Sequence, residues 1–239
     1  GKELRNLTEL ALSGILYYVS QVINHLIESG GLQTGSDKSK SLRICLGGKA
    51  STLYKIVFED SEDQESLSKM VEKVTGGIFT SIGIVFTDAP KHEVSYGLLV
   101  DKTGATDLDL TDRSHETVIG EDVMVGKNKV GIVSELNPDS PWRVKDITQL
   151  KTFLKYLKAY SKIPVNLTKK FEGDLEGKIN AALKDGQSRA QKLKQNMQSV
   201  EGDDSLSEIQ KTSAIVEPVF ILGLKQVIKE ITSGKLKLK

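Results

Sequence analysis

The chain is poor in the residues that most often announce chemistry. Its 239 residues include one cysteine, Cys45. A lone thiol excludes an internal disulfide framework and fits a reducing compartment, or indifference to redox. The three histidines, His25, His92 and His115, stand apart from any second ligand at helical or hairpin spacing, and Cys45 has no Cys or His neighbour. That argues against a zinc site. Lys and Arg number 33 against 32 Asp and Glu, a formal net charge of +1. So even a balance removes any global electrostatic case for nucleic acid or an acidic membrane surface. No uninterrupted apolar run approaches the roughly 18 residues that cross a bilayer, and no basic-then-apolar leader opens the chain. We therefore expect a cytoplasmic protein with neither a membrane nor a nucleic-acid partner. The first residues are Gly-Lys rather than Met, and we read the chain as a piece of a longer protein.

What is present suffices for a folded core. Hydrophobic residues make up 38% and charged residues 27%, near the globular range and enough for one large or two modest domains. Residues 3–29 carry Leu10, Leu12, Ile15, Leu16, Val19, Val22, Ile23 and Leu26 at helical spacing, which predicts a helix with one wide buried stripe. Gly30-Gly31 stop it. LRICL (Leu42–Leu46) runs into Gly47-Gly48 and reads as a buried strand entering a tight turn. ASTLYKIVFE and about Gln64–Val74 read as helices, Ser81–Thr87 as a second strand, and Pro90 opens a helix through Val100. The two strands are expected as neighbours in one sheet. Past Val100, TVIG, DVMVG and KVGIVSEL predict short strands or a hairpin set. From Val144 the pattern turns helical: VKDITQLKTFLKYLKAY, then about Leu167–Ser199, then about Leu206–Thr232 with a kink or restart at Pro218. These shifts divide the chain into 1–100, 101–143 and 144–239. The apolar positions of 167–199 are sparse, which suits a solvated helix or a partner-binding arm. Its lysines, Lys169, Lys170, Lys192 and Lys194, alternate with acids and lack an aromatic platform for nucleic acid.

Several short motifs spell more than they support. DKTGAT, from Asp101, approaches the phosphorylated aspartate motif of P-type pumps, but Ala105 interrupts it and its companion motifs are missing. Gly104 instead marks a turn. Asp107, Asp109 and Asp112 lie close together without the glycine and distal glutamate of a calcium loop. GGKAS (Gly47–Ser51) lacks the earlier glycine of a P-loop, whose place is held by Arg43. A strand that ends in Gly-Gly and opens a helix nevertheless has two uses. It is an ordinary turn between layers, or a place where a ligand approaches the backbone and an anion meets helix N–H groups.

Taken together, ICLGGKASTLYKI (Ile44–Ile56) and APKHEVSYGLLV (Ala89–Val100) resemble the adenosine-side motifs of the actin, sugar-kinase and seventy-kilodalton heat-shock ATPase superfamily. That family places a long helix first, then a strand ending in Gly-Gly, a helix under the nucleotide, a further strand, and a helix reading roughly P-x-E-x-V-A-x-G-A. Glu93, Val94, Tyr96 and Gly97 occupy the last pattern here. The resemblance spans about residues 3–100. It implies an α/β fold, a ribonuclease-H-like actin-type ATPase lobe, followed by a small β-containing segment and a helical C-terminal region. It also implies a site for ATP with Mg²⁺. Gly47, Gly48 and Lys49 would lie beside the ribose and α-phosphate, with Lys49 either charging the phosphates or standing as a solvated turn lysine. Ser51 falls where chaperones place an adenine-stacking arginine, and serine cannot stack. The family's D-x-G-x-T hairpin does not precede the long helix, and DKTGAT has one residue too many to replace it. The expected partner is thus a missing N-terminal catalytic lobe, and the chain alone should not hydrolyse ATP. The alternative expectation is a non-enzymatic scaffold on an inactive ATPase-type fold, meeting a protein partner through its C-terminal helices.

Overall fold

A computed structural model describes residues 2–30, 41–58, 61–86, 117–160, 165, 167–198 and 216–236. The architecture is mixed α/β, dominated by helix, with two small sheets. It divides into two compact units, Gly1–Ser114 and His115–Lys239. The expected junction at 143/144 falls inside a strand, and the later strands and helices share the second unit. The helix expected over 90–100, the DKTGAT turn and the three aspartates lie outside the described residues.

In the first unit, helix α1 (Lys2–Glu28) packs against α2 (Gly48–Val57) and α3 (Ser61–Val74). Its buried stripe, Leu10, Leu12, Leu16 and Tyr17, includes the small residues Ser13, Gly14 and Ser20. Tyr54 Oη of α2 donates to the Leu12 carbonyl at 2.7 Å, tying the two helices at a buried point. The expectation about apolar length needs correction here. By length and composition α1 is apolar enough to cross a membrane, with a mean hydropathy of 1.3 over 18 residues. Charged residues cluster near its ends rather than inside that window, so no uninterrupted run is needed to reach the value. In this fold its apolar stripe is the surface on which two helices pack. Gly76 and Gly77 end α3 at φ of 68° and 70°, and Gly77 N–H reaches back to the Glu72 carbonyl at 2.8 Å, a left-handed stop that glycine adopts most readily. Strands β1 (Ser41–Leu46) and β2 (Ser81–Phe86) pair in parallel from Ser41↔Ser81 to Leu46↔Phe86, as neighbours in one sheet. Alternation buries Ile44 and leaves Arg43, Cys45 and Val85 exposed.

The second unit is built on an antiparallel sheet ordered β4–β3–β5: β3 (Val118–Val125), β4 (Asn128–Ile132) and β5 (Trp142–Asp146). Gly126, at φ 62°, opens the two-residue turn from β3 to β4. Helix α4 (Thr148–Tyr160) buries Leu150, Phe153, Leu154 and Leu157. Its Phe153 meets Phe220 of α6 (Val219–Thr232) edge to face, with ring centroids 5.8 Å apart.

Two expectations are corrected in this unit. Val144 belongs to a strand, because WRVKD alternates: Trp142 and Val144 turn inward while Arg143 and Lys145 stay outside. Helix starts only at Thr148, where Asp146 accepts from the Thr148 hydroxyl at 3.1 Å. The long helix α5 (Lys169–Gln198) is also no solvated arm. Leu175, Ile179, Leu183 and Ala190 are buried, and the polar part of its inner stripe bonds to the edge of β5. Asn180 Oδ1 accepts from Val144 N at 2.8 Å, and Gln187 Oε1 accepts from Trp142 N at 3.2 Å. Gln187 Nε2 donates in turn to the Pro138 and Ser140 carbonyls at 2.8 Å. The last helix begins at Val219 with Pro218 as its N-cap residue, and the stretch expected as helix from 206 to 215 lies outside the described residues.

Candidate functional site

The expected site residues stand at the carboxyl end of β1. Gly47, exposed and extended at φ −110° and ψ 178°, is the N-cap of α2 and makes no side-chain cap hydrogen bond. Gly48 and Lys49 form the first positions of the helix. The first turn of α2 carries no acidic residue, so no carboxylate there offsets the positive end of the helix dipole. The C-terminal residues of the two parallel strands, Leu46 and Phe86, are register partners, and the turn therefore sits at the carboxyl edge of the sheet. Ser51 is 1% exposed. It lies on the helical face of Tyr54 and Phe58, both buried, so it belongs to the core side of α2. The fold thus leaves Gly47 exposed ahead of the helix that Gly48 and Lys49 open, and turns Ser51 inward. Cys45, two residues before the turn, is exposed. Among the described residues no three His, Cys, Asp or Glu side chains cluster to hold a metal ion.

The second unit contains charged constellations with structural geometry. Lys151 Nζ lies 2.8 Å from Asp146 Oδ1, 3.3 Å from Glu172 Oε2 and 3.9 Å from Glu176 Oε1, joining β5, α4 and α5. The hydrogen bond from Lys151 holds the Asp146 carboxyl below its ordinary value, and the same bond holds the Lys151 ammonium above its own. Glu230, 4% exposed, accepts from Lys178 at 2.5 Å and Gln226 at 2.8 Å. The Lys178 bond keeps its carboxyl low. Glu121 differs from both. It is 5% exposed, and its two oxygens take the backbone N–H groups of Gln149 at 2.9 Å and Leu150 at 2.6 Å. Burial pushes this carboxyl up to about 8, against the lowering effect of those two donors. Sequence reading missed Glu121 because strand alternation should have turned one of Glu121 and its neighbours outward. Instead, five steps of β3 from Val118 to Val123 stand against two of β4, with Gly120 at φ 76° inside the irregularity. The only advance signal was that glycine between β-forming residues. A cavity of about 440 Å³ also lies between α5 and the start of α6, lined by Gly186, Arg189 and Glu217 among others.

No protein-family model, curated protein or solved structure matches the chain.

Proposed function

We propose that the first unit is the adenosine-side lobe of an actin-like or chaperone-like ATPase, carrying half of a site for ATP with Mg²⁺. The observation that carries this reading is the Leu46–Gly47–Gly48 junction. There a parallel strand ends level with its neighbour, and a helix opens with neither side-chain cap nor acidic first turn. Ligands of open α/β sheets bind beyond the carboxyl ends of strands, and uncapped helix N-termini receive phosphate. On this reading the fold of unit one is the ribonuclease-H-like, actin-type lobe. Gly47 and Gly48 admit the ribose and α-phosphate to the backbone, Lys49 contributes charge, and Ser51 supports the turn from the core side. Mg²⁺ coordination and attack by water belong to the absent catalytic lobe, so the isolated chain binds without hydrolysing. If a micromolar site, worth about 8 kcal/mol, loses roughly half its contacts, the remaining affinity is of millimolar order.

The test is the melting midpoint of the chain over ATP concentrations up to several millimolar, for wild type and Gly48→Asp. A ligand that binds only the native state raises the midpoint. Aspartate in the first turn favours the helix dipole but repels phosphate, so the variant should fold and lose the shift. An equal ATP shift in the variant would move the nucleotide away from this turn.

A second reading, a non-enzymatic scaffold, is favoured by apolar side chains left open on the first unit. Leu53 is 49% exposed, Ile56 61% and Val85 42%. The C-terminal helices spend their apolar stripes on their own core, so a partner docking there would meet their charged faces. Sedimentation across a concentration series separates the readings: self-association without an ATP response selects the scaffold.

A further inference from the structure

Helix α4 turns a stripe of lysines toward a cavity in the second unit that no part of the nucleotide reading uses. Lys151, Lys155 and Lys158 recur at helical spacing, so they share one face. That face borders a cavity of about 290 Å³, at the small end of ligand pockets, which run from roughly 300 Å³ upward. Its apolar wall is Leu154 and Val165, 4% and 5% exposed, with half-buried Leu167 beside them. Among the described residues its one acid is Glu172 of α5. The three lysines are not equivalent. Lys151 is answered by Asp146, Glu172 and Glu176, so Glu172 spends its charge inside the fold. Lys155 and Lys158 are exposed, and neither has a carboxylate partner among the described residues. Like charges one helical turn apart repel, a cost that an anion at the cavity mouth would remove.

We propose that this cavity is a binding site for a small anionic amphiphile, a carboxylate on a short apolar chain. The chain lies against Leu154, Val165 and Leu167, and the carboxylate meets the ammonium groups of Lys155 and Lys158. An apolar wall with a few polar groups fixing orientation is the ordinary composition of a small-molecule site. The volume limits the occupant, since a helix with its side chains is about 10 Å across and cannot enter. Each half of the site does something the other cannot. Burial of the chain removes apolar surface from water, and charge-assisted bonds from the two ammonium groups select the anionic head. Lys151 keeps its three carboxylates and serves the fold, so the two free lysines carry the recognition.

The experiment is a titration of the whole isotope-labelled chain with octanoate, followed by amide NMR shifts. The expected result is a saturable change concentrated at Lys155, Lys158, Val165 and Leu167. Octanol has the chain without the charge, and inorganic phosphate the charge without the chain. Each should bind at least roughly tenfold more weakly than octanoate. The double variant Lys155→Gln/Lys158→Gln changes only exposed side chains, and its own amide spectrum reports that it folds. Its octanoate affinity should fall by roughly tenfold or more, to the level of octanol. Unchanged affinity in that variant overturns the site. So does octanol or phosphate binding as well as octanoate, a change centred on other residues, or no saturable change at all.

Discussion

Tyr54 and Gly223 show how narrowly single side chains fit this molecule. Tyr54 is 4% exposed and its hydroxyl bonds a carbonyl of α1. Removing the hydroxyl in Tyr54→Phe leaves the ring in place and should destabilise the first unit by about 1 kcal/mol, measured by urea unfolding with a near-ultraviolet readout. At Gly223 an added methyl would lie 3.0 Å from Leu150 Cδ2 and 3.4 Å from Ile179 Cδ1. Overpacking of that kind costs about 1–3 kcal/mol, while alanine recovers about 1 kcal/mol of helix propensity. Gly223→Ala should thus lower the stability of the second unit modestly, by about 1 kcal/mol, in the Trp142 unfolding curve. These two residues also mark the limit of reading by sequence. A tyrosine in an amphipathic helix announces burial, but not the partner its hydroxyl finds. A glycine within ILGLK reads as a weak point in a helix, and only the approach of α4 makes it a requirement.

At the scale of elements, α5 does work that its composition conceals. Its stripe combines Leu175, Ile179 and Leu183 with Asn180 and Gln187, and the amides bond N–H groups on the outer edge of β5. The helix therefore covers an edge that would otherwise invite strand pairing. Asn180→Leu leaves Val144 N–H without its side-chain acceptor, a loss of about 1–3 kcal/mol. Hydrogen exchange should show faster exchange at Val144 and unchanged protection in the first unit. The described helices and strands of the first unit were legible in the sequence to within a few residues, because their apolar periods are clean and glycines close α1 and α3. The start of α4 was not, because Val144 fits both a helical and an alternating pattern, and pairing with Val123 on β3 selects the strand.

The chain divides into two compact units, and mutations in one should leave the signal of the other in place. Leu10 is fully buried in α1, and Leu10→Ala should destabilise the first unit by about 2–5 kcal/mol while the Trp142 transition keeps its midpoint. A shift of both together would mean that they unfold as one. The candidate site divides along the same line of legibility. Gly47-Gly48 at a strand end could be found by eye, since the turn is local chemistry written in consecutive residues. The inward face of Ser51 and the burial of Glu121 against two helix N–H groups could not, because each depends on which residues other elements bring against it. By itself, then, the amino-acid order determined where the described helices and strands of the first unit form, that β1 and β2 are neighbours in one sheet, and the glycine turn between β1 and α2. Periodicity and turn chemistry act over a few residues and are carried by the chain itself. Only the tertiary structure decided that α5 is a core helix, that Val144 is strand, and that Glu121 lies buried on a helix end. Those outcomes rest on contacts between residues about 20 or more positions apart, where burial and hydrogen-bond geometry override local preference.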